Sequence, residues 1–217
     1  LAVPAAGLAI FNNSGQVCSA GSRIFVERAV HDEFVARLVE FGKGLKIGHT
    51  LDPATQIGPI VSGGEFDRVC SYLELGPSEG AQVALGGAAL TGGGFADGFF
   101  VPPTVFGAAR DEMRVVREEI FGPVACVLPF DSFDEVIARA NDTEFGLAAY
   151  LYTRDLARSW RVSEALEYGI VGLNTGIIST EVAPFGGVKE SGTGREGSKY
   201  GLLDYTEIKY VCVGGIA

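Results

Sequence analysis

Three short stretches carry residue types that could do chemistry. The first is FNNSGQVCSAGSR, residues 11–23, which sets Cys18 in a Gly- and Ser-containing turn just ahead of an apolar run. A thiolate fixed on a rigid turn is a nucleophile for an electrophilic carbon. Taken alone, the ordinary reading of such a cysteine is a buried, inert thiol, because free Cys is among the most buried residue types. The second stretch is REEIFGPV, residues 117–124. Its adjacent Glu118 and Glu119 cannot face the same way, so one can face a site and the other solvent; a solvated acidic helix end is the plainer reading. The third is PFGGVKESG, residues 184–192, where Phe185 and two glycines suit a loop packed near a ligand or, equally, an ordinary surface turn.

The elements that must hold these residues alternate along the chain. RIFVE at 23–27 reads as a strand. Residues 30–46 read as a helix with Phe34, Leu38, Phe41 and Leu45 on one face. A second helix is expected over 64–79, then a short strand in AQVALGG, a Gly-rich loop TGGGFADG, and an extended FFVPPTVFG. Pro102 and Pro103 forbid a regular central ladder at their own positions. VACVLPF at 124–130 is nearly all apolar, as in a strand covered on both faces. Asp131 or Ser132 can cap the next helix, and Asp155 another that runs to about residue 167. LAAYLYT and IVGLN read as strands, and the alternating tail TEIKYVCV as an exposed or partner-paired strand. The pattern predicts an α/β fold with a mostly parallel, helix-covered sheet and a C-terminal strand suited to oligomerisation.

Composition narrows the function classes. The 217 residues are 47% hydrophobic and 20% charged, which suits one large globular domain. A net charge of −10 repels phosphate backbones, so no nucleic-acid partner is expected, and no basic amphipathic stretch suggests a membrane surface. Cys18, Cys70, Cys126 and Cys212 stand far apart, and the chain has only two His. That spacing argues against a metal site or a disulfide framework and for reduced thiols in a cytoplasmic protein. The apolar start, with Met113 as the only Met, reads as the interior of a longer gene product.

Six segments together resemble the aldehyde dehydrogenase superfamily in order and spacing, from about residue 5 to 213. They are FNNSGQVCSAGSRIFV, TQIGPIVS, EEIFGPV, NDTEFGLAAYLYTRD, GIVGLNTG and APFGGVKESGTGRE. EALEYGIVGLNTGIIS and GREGSKYG, followed by DYTEIKYVCVGG, look most like succinate-semialdehyde dehydrogenases. The resemblance implies that Cys18 is the nucleophile. It would form a thiohemiacetal with the aldehyde, lose hydride to a nicotinamide, and leave a thioester for water to hydrolyse, with its own backbone N–H as one oxyanion donor. Glu119 matches the residue that holds the nicotinamide ribose, and Phe121 the aromatic beside the ring. Phe185 matches an aromatic lining the substrate tunnel. Asn174 and Ser179 match the loop that approaches the substrate, with a serine near Ser179 binding a distal carboxylate.

Two positions depart from the semialdehyde pattern. Asn12 stands where those enzymes carry an arginine six residues before the nucleophile, so a bidentate clamp on the substrate carboxylate is missing. Ala20 replaces a second cysteine that serves some of them as a redox switch. The resemblance also implies that a coenzyme-binding domain, a general-base glutamate and a side-chain Asn of the oxyanion hole belong to a region before this one. None of those segments is among the 217 residues. TGGGFADG is no substitute phosphate turn, because extended FFVPP follows it where a helix N-terminus is needed.

The expectation is therefore a catalytic domain over 1–200 and an oligomerisation strand over 201–217. It is the catalytic part of an NAD- or NADP-dependent enzyme acting on succinic semialdehyde or a similar small aldehyde. The parent enzyme is expected to be a homodimer or homotetramer, and the fragment alone inactive and without bound coenzyme. The alternatives are a non-catalytic assembly module and a residual thiol esterase.

Overall fold

A computed structural model describes residues 1–215. In chain order the helices are α1 (Ala2–Phe11), α2 (His31–Lys43), α3 (Gly63–Ser78), α4 (Arg114–Arg117), α5 (Phe133–Asn141) and α6 (Leu156–Ala165). The strands are β1 (Arg23–Glu27), β2 (Gln82–Leu85), β3 (Thr104–Gly107), β4 (Val124–Phe130), β5 (Phe145–Gly146), β6 (Ala148–Leu151), β7 (Ile170–Leu173) and β8 (Val188–Lys189).

The main sheet has the order β1-β4-β3-β2. β4 pairs in parallel with both β1 and β3, and β2 joins β3 antiparallel. β6 and β7 form a separate parallel pair, and β5 and β8 a short antiparallel one. Strand β4 shows why its sequence is almost unbroken apolar. Val124, Cys126 and Leu128 enter one core cluster, with Val69 and Leu73 of α3. Ala125 and Val127 enter the other, with Ile10 and Phe11 of α1 and Leu38 of α2. Alternate residues thus face opposite helical layers, as the period of a strand requires.

Two helix starts follow the expected caps, Ser132 and Asp155, and a third is capped by Ser62, which the sequence reading leaves in a loop. Ser62 Oγ accepts from Glu65 N at 3.3 Å, Ser132 Oγ from Glu135 N at 3.3 Å, and Asp155 Oδ1 from Arg158 N at 2.9 Å. The ladder of β3 begins at Thr104, directly after the two prolines.

The apolar start, for which the sequence reading assigns no element, is a helix, α1, and it tolerates Pro4 because a first-turn N–H has no intrahelical acceptor to lose. The tail forms no strand among the described residues. Gly201–Tyr205 is a 3-10 turn, and residues 206–215 carry no ladder. Ile208, Tyr210, Val211 and Val213 are all exposed. Alternation specifies a strand only where a sheet edge and a face exist to receive it, and among the described residues no strand pairs with the tail. Residues 216–217 lie outside the described residues. No helix in the described residues is long and apolar enough to cross a membrane.

Candidate active site

Cys18 is exposed and follows a tight backbone reversal. After α1, Asn13, Ser14 and Gly15 all take left-handed φ values of 50°, 57° and 69°. The reversal is fixed from two sides. Ser14, itself buried, donates from Oγ to Gly58 O at 2.9 Å, and Gln16 Oε1 accepts from Val61 N at 3.0 Å. Gly15 packs on the Gly122 carbonyl so closely that a Cβ there would collide with it. The segments 11–23, 55–62 and 117–124, distant in sequence, therefore meet at the turn that presents the thiol.

The two adjacent glutamates part as their spacing requires. Glu118 accepts from Tyr72 Oη at 2.8 Å and from Arg114 Nε at 2.7 Å. The hydrogen bond from Arg114, then that from Tyr72, holds the Glu118 carboxyl below the usual carboxylate range. Glu119 is exposed, and its carboxylate makes no hydrogen bond among the described residues. Its backbone is held instead: Arg68 donates to Glu119 O at 3.0 Å and Ile120 O at 2.7 Å. Phe121 follows with φ 54°, half-buried.

Cys18, Glu119 and Phe121 line one cleft of about 1240 Å3. Tyr150 and Tyr152 line it too, from alternate positions beginning on β6. Tyr150 Oη donates to Ser19 O at 2.7 Å. Burial pushes both phenols up, Tyr152 to about 12. Neither tyrosine stands out in the sequence. Their alternation marks a shared face, and only the fold shows that the face meets the Cys18 turn.

The remaining sequence candidates do not line this cleft. Asn12 is exposed where the backbone reversal begins. Asn174, with φ 55°, spends its amide on Thr153: Oδ1 accepts from Thr153 N at 2.9 Å and Nδ2 donates to Thr153 O at 2.8 Å. Ser179 is exposed on the loop after β7. Phe185 is half-buried, and its backbone bridges to Glu196. Chemically, the cleft offers a free thiol, a free carboxylate and an aromatic face. The Cys18 backbone N–H has no acceptor among the described residues and lies on the cleft lining, where an oxyanion could use it.

The sequence profile of the aldehyde dehydrogenase family matches residues 1–211. The chain belongs to that family. It is 47% identical over 206 residues to a mitochondrial succinate-semialdehyde dehydrogenase of Oryza sativa subsp. japonica, covering 95% of this chain and 38% of that protein. It is 50% identical over 218 residues to a betaine aldehyde dehydrogenase of Mesorhizobium japonicum, covering 100% of this chain and 45% of that one. An aldehyde dehydrogenase from Bacillus cereus, solved as its NAD+ complex, superposes with a TM-score of 0.92 at 45% identity, covering 96% of this chain and 42% of that chain. The chain thus spans about two fifths of the length of these relatives.

Proposed function

We propose that residues 1–200 are the catalytic unit of an NAD- or NADP-dependent aldehyde dehydrogenase that oxidises succinic semialdehyde or a similar small aldehyde. Residues 201–217 would serve subunit assembly. The reading rests on one observation: Cys18 lines the same cleft as Glu119 and Phe121, which lie about a hundred residues further along the sequence. Cys18 Sγ attacks the aldehyde carbon, and the oxyanion of the resulting thiohemiacetal accepts from the Cys18 backbone N–H. Two-electron oxidation of that adduct leaves a thioester, and water releases the acid.

The coenzyme supplies the hydride acceptor when it is bound. The residues present fit one end of it. The unpaired Glu119 carboxylate can accept from a pair of ribose hydroxyls, and Phe121 offers a flat face to a nicotinamide ring. The phosphates find no equivalent cradle: TGGGFADG opens only the exposed 3-10 turn Gly93–Phe95, away from the cleft. On this reading the base and the rest of the coenzyme site come from the further length that the relatives have beyond the matched stretch.

Activated esters test the nucleophile without coenzyme. The 217-residue chain treated with p-nitrophenyl acetate is expected to acquire one acetyl group on Cys18, visible by peptide mass and lost in Cys18→Ala. It is expected to give no measurable reduction of NAD+ or NADP+ with succinic semialdehyde or betaine aldehyde. Acylation elsewhere with Cys18 untouched would refute the nucleophile, and clear coenzyme reduction would refute the division of labour. Slow ester turnover through Cys18 would match the thiol-esterase reading, which its exposure favours.

A further inference from the structure

The Tyr150 ring occupies a slot that Gly172 leaves open. A Cβ on Gly172 would stand 2.9 Å from Tyr150 Cδ1 and 2.8 Å from Ile178 Cγ2, whereas one on Gly21 would stand at ordinary contact, 3.6 Å from Tyr150 Cδ2. Gly21 belongs to the segment after the nucleophile and Gly172 to β7, so the ring is clasped between the Cys18 segment and the β6–β7 pair. Its hydroxyl then reaches the Ser19 carbonyl at 2.7 Å, one residue past the thiol. Ser19 is itself buried, so that carbonyl has little access to water as an alternative partner. Tyr152, two residues on, lies near the loop after β7, with its hydroxyl 3.4 Å from Thr175 O. Gly21 N donates to Ala9 O at 3.1 Å, which ties the far side of the same turn to α1.

The turn that carries Cys18 is thus held at three points. Ser14 and Gly15 fix its entry and the Gly21 amide its exit. Tyr150 is the only side chain among the described residues that hydrogen-bonds the stretch 17–20. We infer that Tyr150 is a positioning residue for the nucleophile: its hydroxyl, through the Ser19 carbonyl, orients the Cys18 peptide unit, whose N–H must face the oxyanion formed on the substrate.

The Ser19 carbonyl shares its peptide plane with the Ala20 N–H, which donates to Val17 O at 3.0 Å. Val17 O in turn shares its plane with the Cys18 N–H, so a donor on Ser19 O fixes the direction of the Cys18 amide through the closed turn 17–20. Oxyanion stabilisation depends on that direction. Simple displacement at an alkyl halide does not, because no oxyanion forms. The two reactions therefore separate positioning of the turn from exposure of the thiol.

The inference rests on Cys18 being the nucleophile, and the test keeps the two apart. In p-nitrophenyl acetate acylation, Sγ bonds to the acetyl carbon and the C–O bond to p-nitrophenolate breaks. In iodoacetamide alkylation, Sγ bonds to the methylene carbon and iodide leaves. For Tyr150→Phe, the acylation rate at Cys18 is expected to fall about tenfold, the equivalent of one well-placed hydrogen bond. Alkylation of Cys18, read peptide by peptide, is expected to stay within about twofold, since its transition state needs no oxyanion donor. Exposed Cys212 serves as a reference thiol and buried Cys126 as a reporter of unfolding. Gly172→Ala, which pushes the ring from its slot, is expected to reproduce the acylation loss and to add little to it in the double variant. Equal acylation rates in Tyr150→Phe and the parent would overturn the inference while leaving the function intact. So would a newly reactive Cys126, which would mean a loosened fold. Absence of Cys18 acylation in the parent itself would overturn both.

Discussion

Gly15 and Gly122 touch backbone to backbone, and the absence of a side chain at residue 15 is what allows it. The contact joins the Cys18 turn to the segment that carries Glu119 and Phe121. Gly15 also sits at φ 69°, where an L side chain is strained. Gly15→Ala meets both penalties. It is expected to destabilise the fold by about 2 kcal/mol or more, since left-handed strain alone costs about 1–3 kcal/mol and the collision is with main chain that cannot swing away. Thermal unfolding checks the first effect. A loss of Cys18 acylation larger than that of Cys212 alkylation checks the second, because the thiol turn moves relative to the opposite wall.

Arg68 is the residue that makes the Glu119 segment rigid. Its guanidinium donates to two successive carbonyls and also pairs with Glu65, with Nη2 to Oε2 at 2.8 Å. A lysine cannot reproduce that fork. Arg68→Lys is expected to cost about 1 kcal/mol of stability, as one net hydrogen bond does in a partly exposed site. The more telling readout is local: amide hydrogen exchange over residues 119–122 should accelerate while that of β4 stays unchanged. Uniform acceleration across the sheet would show that Arg68 supports the whole fold and not the site.

Much of the scaffold was legible because its signals are local. The nearly continuous apolar run of β4 is typical of a strand covered on both faces, and Ser132 and Asp155 announce the helices they cap. Helix α1 gave no such signal. It is apolar nearly all round and has no side-chain cap, so no 3.6-residue stripe marks it. The tail carries an alternation that no edge among the described residues receives, as befits a segment expected to pair with a partner. At the site, Cys18 has no distinguishing chemistry in its own segment. Its meaning comes from the bonds of Ser14 to Gly58 and the contact of Gly15 with Gly122, which no window of sequence displays. Tyr150 went unnoticed for the same reason: alternation tells which residues share a face, not what that face meets.

Cys126 gives the stability a predictable alkaline limb. Its thiol is 1% exposed on β4, and burial pushes it from 9.0 to about 12. The unfolded chain releases that proton at lower pH than the folded one, so the contribution is fully present below about 9 and is lost as pH rises toward about 12. Urea midpoints measured across that window should fall more steeply for the parent than for Cys126→Ala. The variant starts lower, because it leaves a small cavity and loses the Sγ contact to Val115 O at 3.2 Å. Parallel slopes would assign the alkaline loss to other groups, among them Tyr152, which burial also raises to about 12.

Asn12 lies outside the cleft lining, so its expected influence on the choice of aldehyde is open to a direct test. It is exposed where the reversal leading to Cys18 begins, in a chain of net charge −10. Its relatives include a succinate-semialdehyde dehydrogenase, whose substrate carries a carboxylate, and a betaine aldehyde dehydrogenase, whose substrate carries a cation. A guanidinium at residue 12 should favour the first class over the second. An activated ester with a free distal carboxylate, compared with the neutral acetate, reads that preference at Cys18 without coenzyme. In Asn12→Arg the ratio of the two acylation rates is expected to rise about threefold to fivefold, the scale of one solvent-exposed ion pair, and the gain should shrink with added salt. The neutral ester controls for any change in the turn itself, since its rate should not move. An unchanged ratio would mean that residue 12 does not face the path of the substrate, and selection between the two aldehyde classes would then have to come from residues on the cleft wall.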